Sequence, residues 1–127
     1  MAPQRYSVAI VEDDPSMRRS LERLLNAHGF AAEVFSSAEA FLDCYPDNLL
    51  ACVVLDIHLP GMSGLQLQTR LNVAGSILPV IVITGIDDED VRAAAIHQGC
   101  TAYLRKPFPA SLLIDAVNDA LTDLQHE

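Results

Sequence analysis

Positive charge is scarce in this sequence. Eight lysines and arginines stand against seventeen aspartates and glutamates, a formal net charge of −9. The eight cations are scattered along the chain, which argues against direct nucleic-acid binding, because a phosphate backbone is held by grouped lysines and arginines. Cysteine is sparse too. Cys44, Cys52 and Cys100 are odd in number and have no CxxC spacing. They read as reduced thiols of a cytoplasmic protein, with Cys52 a core residue inside an apolar run. No run approaches the roughly 18 consecutive apolar residues of a membrane span. The opening MAPQRYSVAI lacks the apolar stretch of a secretory signal. Neither a Pro/Gly/Ser linker nor an internal repeat divides the chain. What remains is 127 residues, half of them hydrophobic, which suits one compact domain with a real core over residues 1–127.

Short β-branched runs alternate with helical patterns. The runs are SVAIV (7–11), AAEVF (31–35), ACVVL (51–55), PVIVI (79–83) and TAYL (101–104). Three of them are almost continuously apolar, as expected of parallel strands covered on both faces. The first helix is capped by Asp14, carries Pro15 at its first position and a Met17/Leu21/Leu24/Leu25 stripe, and stops at Gly29. Ser36-Ser37-Ala38-Glu39 reads as a capping box for the second. The third begins near Ser63, with Leu65, Leu67 and Leu71 less regularly spaced. The fourth starts among the acids of 87–90 and stops at Gly99, and the fifth carries Leu113, Val117, Leu121 and Leu124. Five such units predict a doubly wound α/β fold, a five-stranded parallel sheet with five helices.

In that architecture ligands bind outside the carboxyl ends of the strands. The first run is followed by Glu12, Asp13 and Asp14, the third by Asp56, the fourth by Thr84 and Gly85, and the fifth by Arg105, Lys106, Pro107 and Phe108. Each has an ordinary explanation by itself: a helix cap, a turn threonine, a surface lysine. Together they have a chemical logic. Carboxylates from two strands suit a hard cation such as Mg²⁺ (or Mn²⁺), which takes a few carboxylates plus water and phosphoryl oxygens. Asp56 can attack phosphorus to give an aspartyl phosphate, with Lys106 and Thr84 contacting the phosphoryl oxygens.

The set VEDD, VLDIHLPGMSG, PVIVITG and LRKPF resembles the receiver domain of bacterial two-component response regulators, a CheY-like (flavodoxin-like) fold, across essentially the whole chain. FSSAEAFL and LPGMSGL are similar to its FixJ-type branch. The resemblance implies that Asp56 is the phosphoacceptor. Asp13 is then a direct Mg²⁺ ligand, Glu12 holds a metal-bound water, and the His58 backbone carbonyl is a third protein contact. Lys106 pairs with the phosphoryl group through a strand-end turn whose Lys106–Pro107 bond is cis. Thr84 and Tyr103 form the switch pair. Glu12 stands where aspartate is commoner, and Ile86 followed by DDED where FixJ-like members often have a His-Gly loop.

The implied function is a phosphorylation-activated switch rather than a conventional enzyme. A sensor histidine kinase is the donor. The face of the fourth helix, fifth strand and fifth helix addresses an output domain or partner protein, with homodimerisation possible on phosphorylation. A C-terminal helix-turn-helix output domain is expected to lie outside this chain. A dehalogenase-type phosphohydrolase is disfavoured because it needs a DxD motif, and His58 occupies the second acid's position. A module independent of phosphate is the remaining alternative, although such modules typically lose an acid, the nucleophile or the lysine.

Overall fold

The computed structural model describes residues 7–46 and 49–125, the last three as backbone alone. The first six residues and the Leu124 side chain, both read above, lie outside this description. Strands β1 (Ser7–Val11), β2 (Ala31–Phe35), β3 (Leu50–Asp56), β4 (Val80–Thr84) and β5 (Ala102–Arg105) alternate with helices α1 (Pro15–Ala27), α2 (Ala38–Cys44), α3 (Gly64–Val73), α4 (Glu89–His97) and α5 (Ala110–Gln125). The strands form one sheet in the order β2-β1-β3-β4-β5, every pair parallel. The doubly wound five-stranded expectation is met.

Two hydrophobic layers explain why the runs are apolar on both sides. Side chains alternate across a strand. Ala9, Val11, Val53 and Leu55 accordingly face a core with Phe41 of α2, Leu67 and Leu71 of α3 and Ala95 of α4. Val8, Ile10, Cys52 and Val54 face another with Leu21 and Leu25 of α1 and Leu113 and Val117 of α5. Each fully buried Val, Leu or Ile contributes about 1.5–3 kcal/mol relative to exposure. Central β3 is buried along its whole length. Cys52 is wholly inside, whereas Cys44 is exposed and Cys100 half-buried.

Most helix signals act as read. Asp14 caps α1, accepting from the amides of Ser16 (2.9 Å) and Met17 (3.5 Å), with Pro15 next. Asp88 caps α4, and Gly29 and Gly99 sit at φ 87° and 92° just past α1 and α4. The second helix differs. It opens one residue later, with Ser37 accepting from the Ala40 amide at 3.0 Å. Glu39 therefore falls outside the box spacing, and its carboxylate instead accepts from the Met62 amide at 3.1 Å. A true capping box is found at α3, where Ser63 accepts from the Gln66 amide (3.1 Å) and the Gln66 side chain accepts from the Ser63 amide (2.8 Å). Among the described residues two peptide bonds are cis, Tyr45–Pro46 and Lys106–Pro107, the second as expected.

Candidate functional site at the carboxyl edge of the sheet

The parallel ladder puts the carboxyl ends of β1, β3, β4 and β5 side by side, and the polar residues gather there. Asp56 closes β3 opposite Ile83, and Thr84 closes β4 opposite Arg105. Both belong to the ladder itself, one residue further than the apolar runs alone indicate. Asp56 is 5% exposed, Glu12 1% and Thr84 not at all. Burying two carboxylates is costly unless cations or donors meet them.

Those partners are present. Lys106 Nζ donates to Glu12 Oε1 at 2.7 Å and to Asp56 Oδ2 at 3.5 Å. The His58 amide donates to Asp56 Oδ1 at 3.1 Å, and the Asp14 amide to Glu12 Oε2 at 3.2 Å. Carboxylate oxygens of Glu12, Asp13 and Asp56 converge within 4.8 Å of one another, Asp13 being the exposed member. Three carboxylates against one ammonium leave two negative charges uncompensated. Burial pushes the Glu12 carboxyl above its ordinary range, and its hydrogen bond with Asp56 adds to the rise. Lys106 pulls the other way without cancelling them. Burial would lower the Lys106 ammonium, but the Glu12 hydrogen bond and the Asp56 charge outweigh it, so its pKa is raised and it stays charged.

The donor set fits a hard divalent ion. It offers carboxylate oxygens only, one of them open to solvent, and carries the right excess charge. The His58 imidazole is exposed, and the converging cluster holds no histidine or cysteine. Zinc-like soft coordination is therefore not what these residues offer.

Thr84 Oγ1 is engaged locally, donating to the Ile86 carbonyl (3.3 Å) and accepting from the Ile86 amide (3.2 Å). Tyr103, half-buried on β5, packs against the core layer of α2, α3 and α4. The Arg92 guanidinium of α4 lies 5.9 Å from its ring centroid, a cation–π distance. Its phenol is raised, chiefly by burial. Of the residues picked out at strand ends, Glu12, Asp13, Asp56 and Lys106 therefore converge; Thr84 closes the neighbouring strand, Arg105 pairs with Asp87, and Asp14 serves as a cap.

Supporting contacts of Arg18, Glu39 and Gly64 escaped the sequence reading. Arg18 of α1 reaches back to donate to the carbonyls of Glu12 (2.9 Å) and Asp13 (3.4 Å), pinning the acidic loop. Nothing local in the sequence marks it. Glu39 ties α2 to the loop after β3. Gly61 sits at φ 74°, and a Cβ there would lie 2.6 Å from Glu39 Oε2. Gly64 has another reason: a Cβ would meet the Asp56 carbonyl oxygen at 2.5 Å and Ile57 Cα at 2.7 Å. The start of α3 is thus pressed directly against the strand end that carries Asp56.

A doubly wound α/β domain with an acid–ammonium pocket at its carboxyl edge is the class that fold and site define. Residues 8–118 match the response regulator receiver domain family, and the chain belongs to that family. Among curated relatives it is 38% identical over 119 residues to the transcriptional regulatory protein FixJ of Azorhizobium caulinodans. That match covers 94% of this chain and 56% of the relative. It is 42% identical over 116 residues to nodulation protein W of Bradyrhizobium diazoefficiens, covering 91% and 51%. The crystal structure of FixJ-N superposes with a TM-score of 0.86 at 37% identity, covering 93% of this chain and 94% of that one. The domain is a two-component receiver of the FixJ-like branch, a signalling module in a family where phosphorylation and magnesium are typical. It spans about half the length of the curated relatives it matches. Among the described residues no helix is long and apolar enough to cross a membrane.

Proposed function

We propose that this domain accepts a phosphoryl group on Asp56 from a sensor histidine kinase and relays it as a conformational state. The observation that carries the reading is the convergence of Glu12, Asp13 and Asp56, with Lys106 bridging Glu12 and Asp56, at the sheet edge where buried Thr84 closes the next strand. Asp56 Oδ1 is held by the His58 amide at 3.1 Å, whereas Oδ2 makes the longer 3.5 Å contact with Lys106. Oδ2 is the oxygen assigned here to attack phosphorus. Its new P–O bond forms as the bond from phosphorus to the donor breaks. Glu12, Asp13, Asp56 and the His58 backbone carbonyl would hold Mg²⁺ (or Mn²⁺), which when bound neutralises charge on the phosphoryl oxygens. Lys106 then exchanges its loose contact with Asp56 for one with the phosphoryl group, and stays anchored by Glu12.

The same geometry supplies a switch. To donate to a phosphoryl oxygen, the Thr84 hydroxyl must release the Ile86 carbonyl. Ile86 leads through Asp87 to Asp88, the cap of α4, and Asp87 pairs with Arg105 of β5 at 3.2 Å. Movement at Thr84 therefore loosens the entry of α4 and its tie to β5, next to Tyr103 and Arg92. An altered α4–β5–α5 face would address an output domain or partner protein, and could support a homodimer. The named relatives, transcriptional regulatory proteins among them, make a DNA-binding output the fitting partner, with the receiver itself making no nucleic-acid contact. A kinase donor and such an output place the domain in the cytoplasm.

The test is intact-mass analysis after incubation with Mg²⁺ and acetyl phosphate, in which acetate is the leaving group. A single Mg²⁺-dependent phosphoryl adduct that disappears in Asp56→Asn is expected. No adduct, with beryllofluoride also failing to bind, would overturn the reading in favour of a phosphate-independent module.

A further inference from the structure

Val82, Thr84 and Tyr103 stand on one face of the sheet. Val82 pairs with Tyr103, and Thr84 with Arg105, in the parallel register. Side chains alternate along a strand, and Val82 and Tyr103 both pack into the layer that holds Ala95 of α4. Tyr103 is therefore a diagonal neighbour of Thr84, on the side that α4 covers. Over its ring lies the Arg92 guanidinium, 5.9 Å from the centroid. Arg92 closes the first turn of α4, its amide donating to the carbonyl of the cap residue Asp88 at 2.9 Å.

Nearby acids do not compete for this cation. Arg92 is exposed, and among the described residues it belongs to no ion pair. Asp87 is taken by Arg105 at 3.2 Å. The Asp88 carboxylate is engaged at the helix cap, accepting from the amides of Asp90 (2.9 Å) and Val91 (3.2 Å). The guanidinium is thus left to the aromatic face, and the contact joins α4 to β5. It does so at the end of α4 that follows Thr84, where Oγ1 is bonded to the Ile86 carbonyl and amide.

Resting on the phosphoryl-switch reading above, we infer that Arg92 is a positioning residue whose contact with the Tyr103 ring brakes the switch. It holds the entry of α4 in the resting arrangement and must be broken before the switch completes. When Thr84 Oγ1 leaves the Ile86 carbonyl, displacement passes through Ile86 and Asp87 to the Asp88 cap, and the guanidinium one turn on is drawn off the ring. An exposed cation–π pair shifts an equilibrium about two- to fivefold. The brake therefore sets how readily an occupied phosphoryl site turns the switch, without touching that site.

The test is an NMR titration of the 127-residue chain with beryllofluoride in Mg²⁺, comparing the wild type with Arg92→Ala and Arg92→Lys. Alanine suits an exposed helix position. Arg92→Ala is expected to reach half-saturation at a beryllofluoride concentration about two- to fivefold lower. Arg92→Lys keeps a cation and should return it toward the wild type. Arg92→Ala in a Tyr103→Leu background should give no gain. Without beryllofluoride, ¹³C-labelled tyrosine reports the contact itself. Burial raises the Tyr103 phenol, Arg92 pulls it down, and Asp87, Asp88 and Cys100 raise it further, so it should titrate higher in Arg92→Ala. The inference alone is overturned if the wild type binds beryllofluoride and Arg92→Ala binds it no more tightly. It is also overturned if the lysine variant behaves as the alanine one, if the gain persists without the ring, or if the phenol titration is unchanged. A wild type that binds no beryllofluoride overturns the phosphoryl-switch reading, and the brake with it. Should Tyr103→Leu fail to fold, the lysine rescue and the phenol titration decide.

Discussion

Lys106 compensates two buried carboxyls at once, and that is the clearest point to perturb. Lys106→Met leaves Glu12 and Asp56 facing each other without a cation, and breaking a buried pair from one side costs about 3–5 kcal/mol. The loss should ease in acid. Glu12 already titrates above its ordinary 4.5 in the folded state, so the fold binds its proton more readily than the unfolded chain does. Stability from this group is therefore present at low pH and lost as pH rises through the raised folded value. Urea unfolding in EDTA at pH 5 and pH 7.5 should show a smaller penalty for Lys106→Met at the lower pH. Cys52 gives a second, independent pH effect. Burial pushes its thiol to about 12 from 9.0, so the unfolded chain ionises first and stability falls from pH 9 upward. The slope attributable to it approaches ~1.4 kcal/mol per pH unit. Unfolding curves of the wild type and Cys52→Ala, compared between pH 9 and 10.5, should differ by that slope, and equal slopes would refute the assignment.

Among the elements, α3 is the one whose start matters most, because Gly64 presses it against the Asp56 carbonyl. Ser63→Ala removes the capping side chain and should cost about 1 kcal/mol, read by chemical denaturation. Gly64→Ala should cost more, about 1–3 kcal/mol as an overpacked contact against backbone, and should slow phosphoryl acceptance by moving the strand end. Glu39→Gln should speed hydrogen exchange at the Met62 amide, since the carboxylate that holds it becomes a weaker neutral acceptor. An unchanged rate there would mean that the α2 tie is not what orders this loop. The strands and most caps were legible because their signals are local: apolar runs, Asp14-Pro15, Gly29, Gly99. The site was legible because parallel strands bring their carboxyl ends together, so Asp56, Thr84 and Lys106 could be placed by topology alone. Glu39 was not. Its S-x-x-E spacing fits a capping box, but the partner it takes is an amide 23 residues on. The S-x-x-Q at Ser63–Gln66 was a readable box that went unread.

For the whole molecule, uncompensated charge at one edge of the sheet makes stability depend on cations. Mg²⁺ that binds only the folded state should stabilise it by about 1.4 kcal/mol at ten times its dissociation constant. Thermal melts with and without Mg²⁺ should show the rise, and Asp13→Asn, an exposed position, should abolish it without harming the metal-free fold. Equal Mg²⁺ responses in the two chains would sink the three-carboxylate site. The 2.7 Å contact between Glu12 and Lys106 also has a consequence for biosynthesis. Its partners are 94 residues apart, one following the first strand and the other the last. As the chain leaves the ribosome, β1, β2 and β3 can assemble early around a Glu12 whose ammonium has not yet been made. A nascent chain at that stage carries three of its five strands and the acids of the pocket, but not yet the ammonium that completes it.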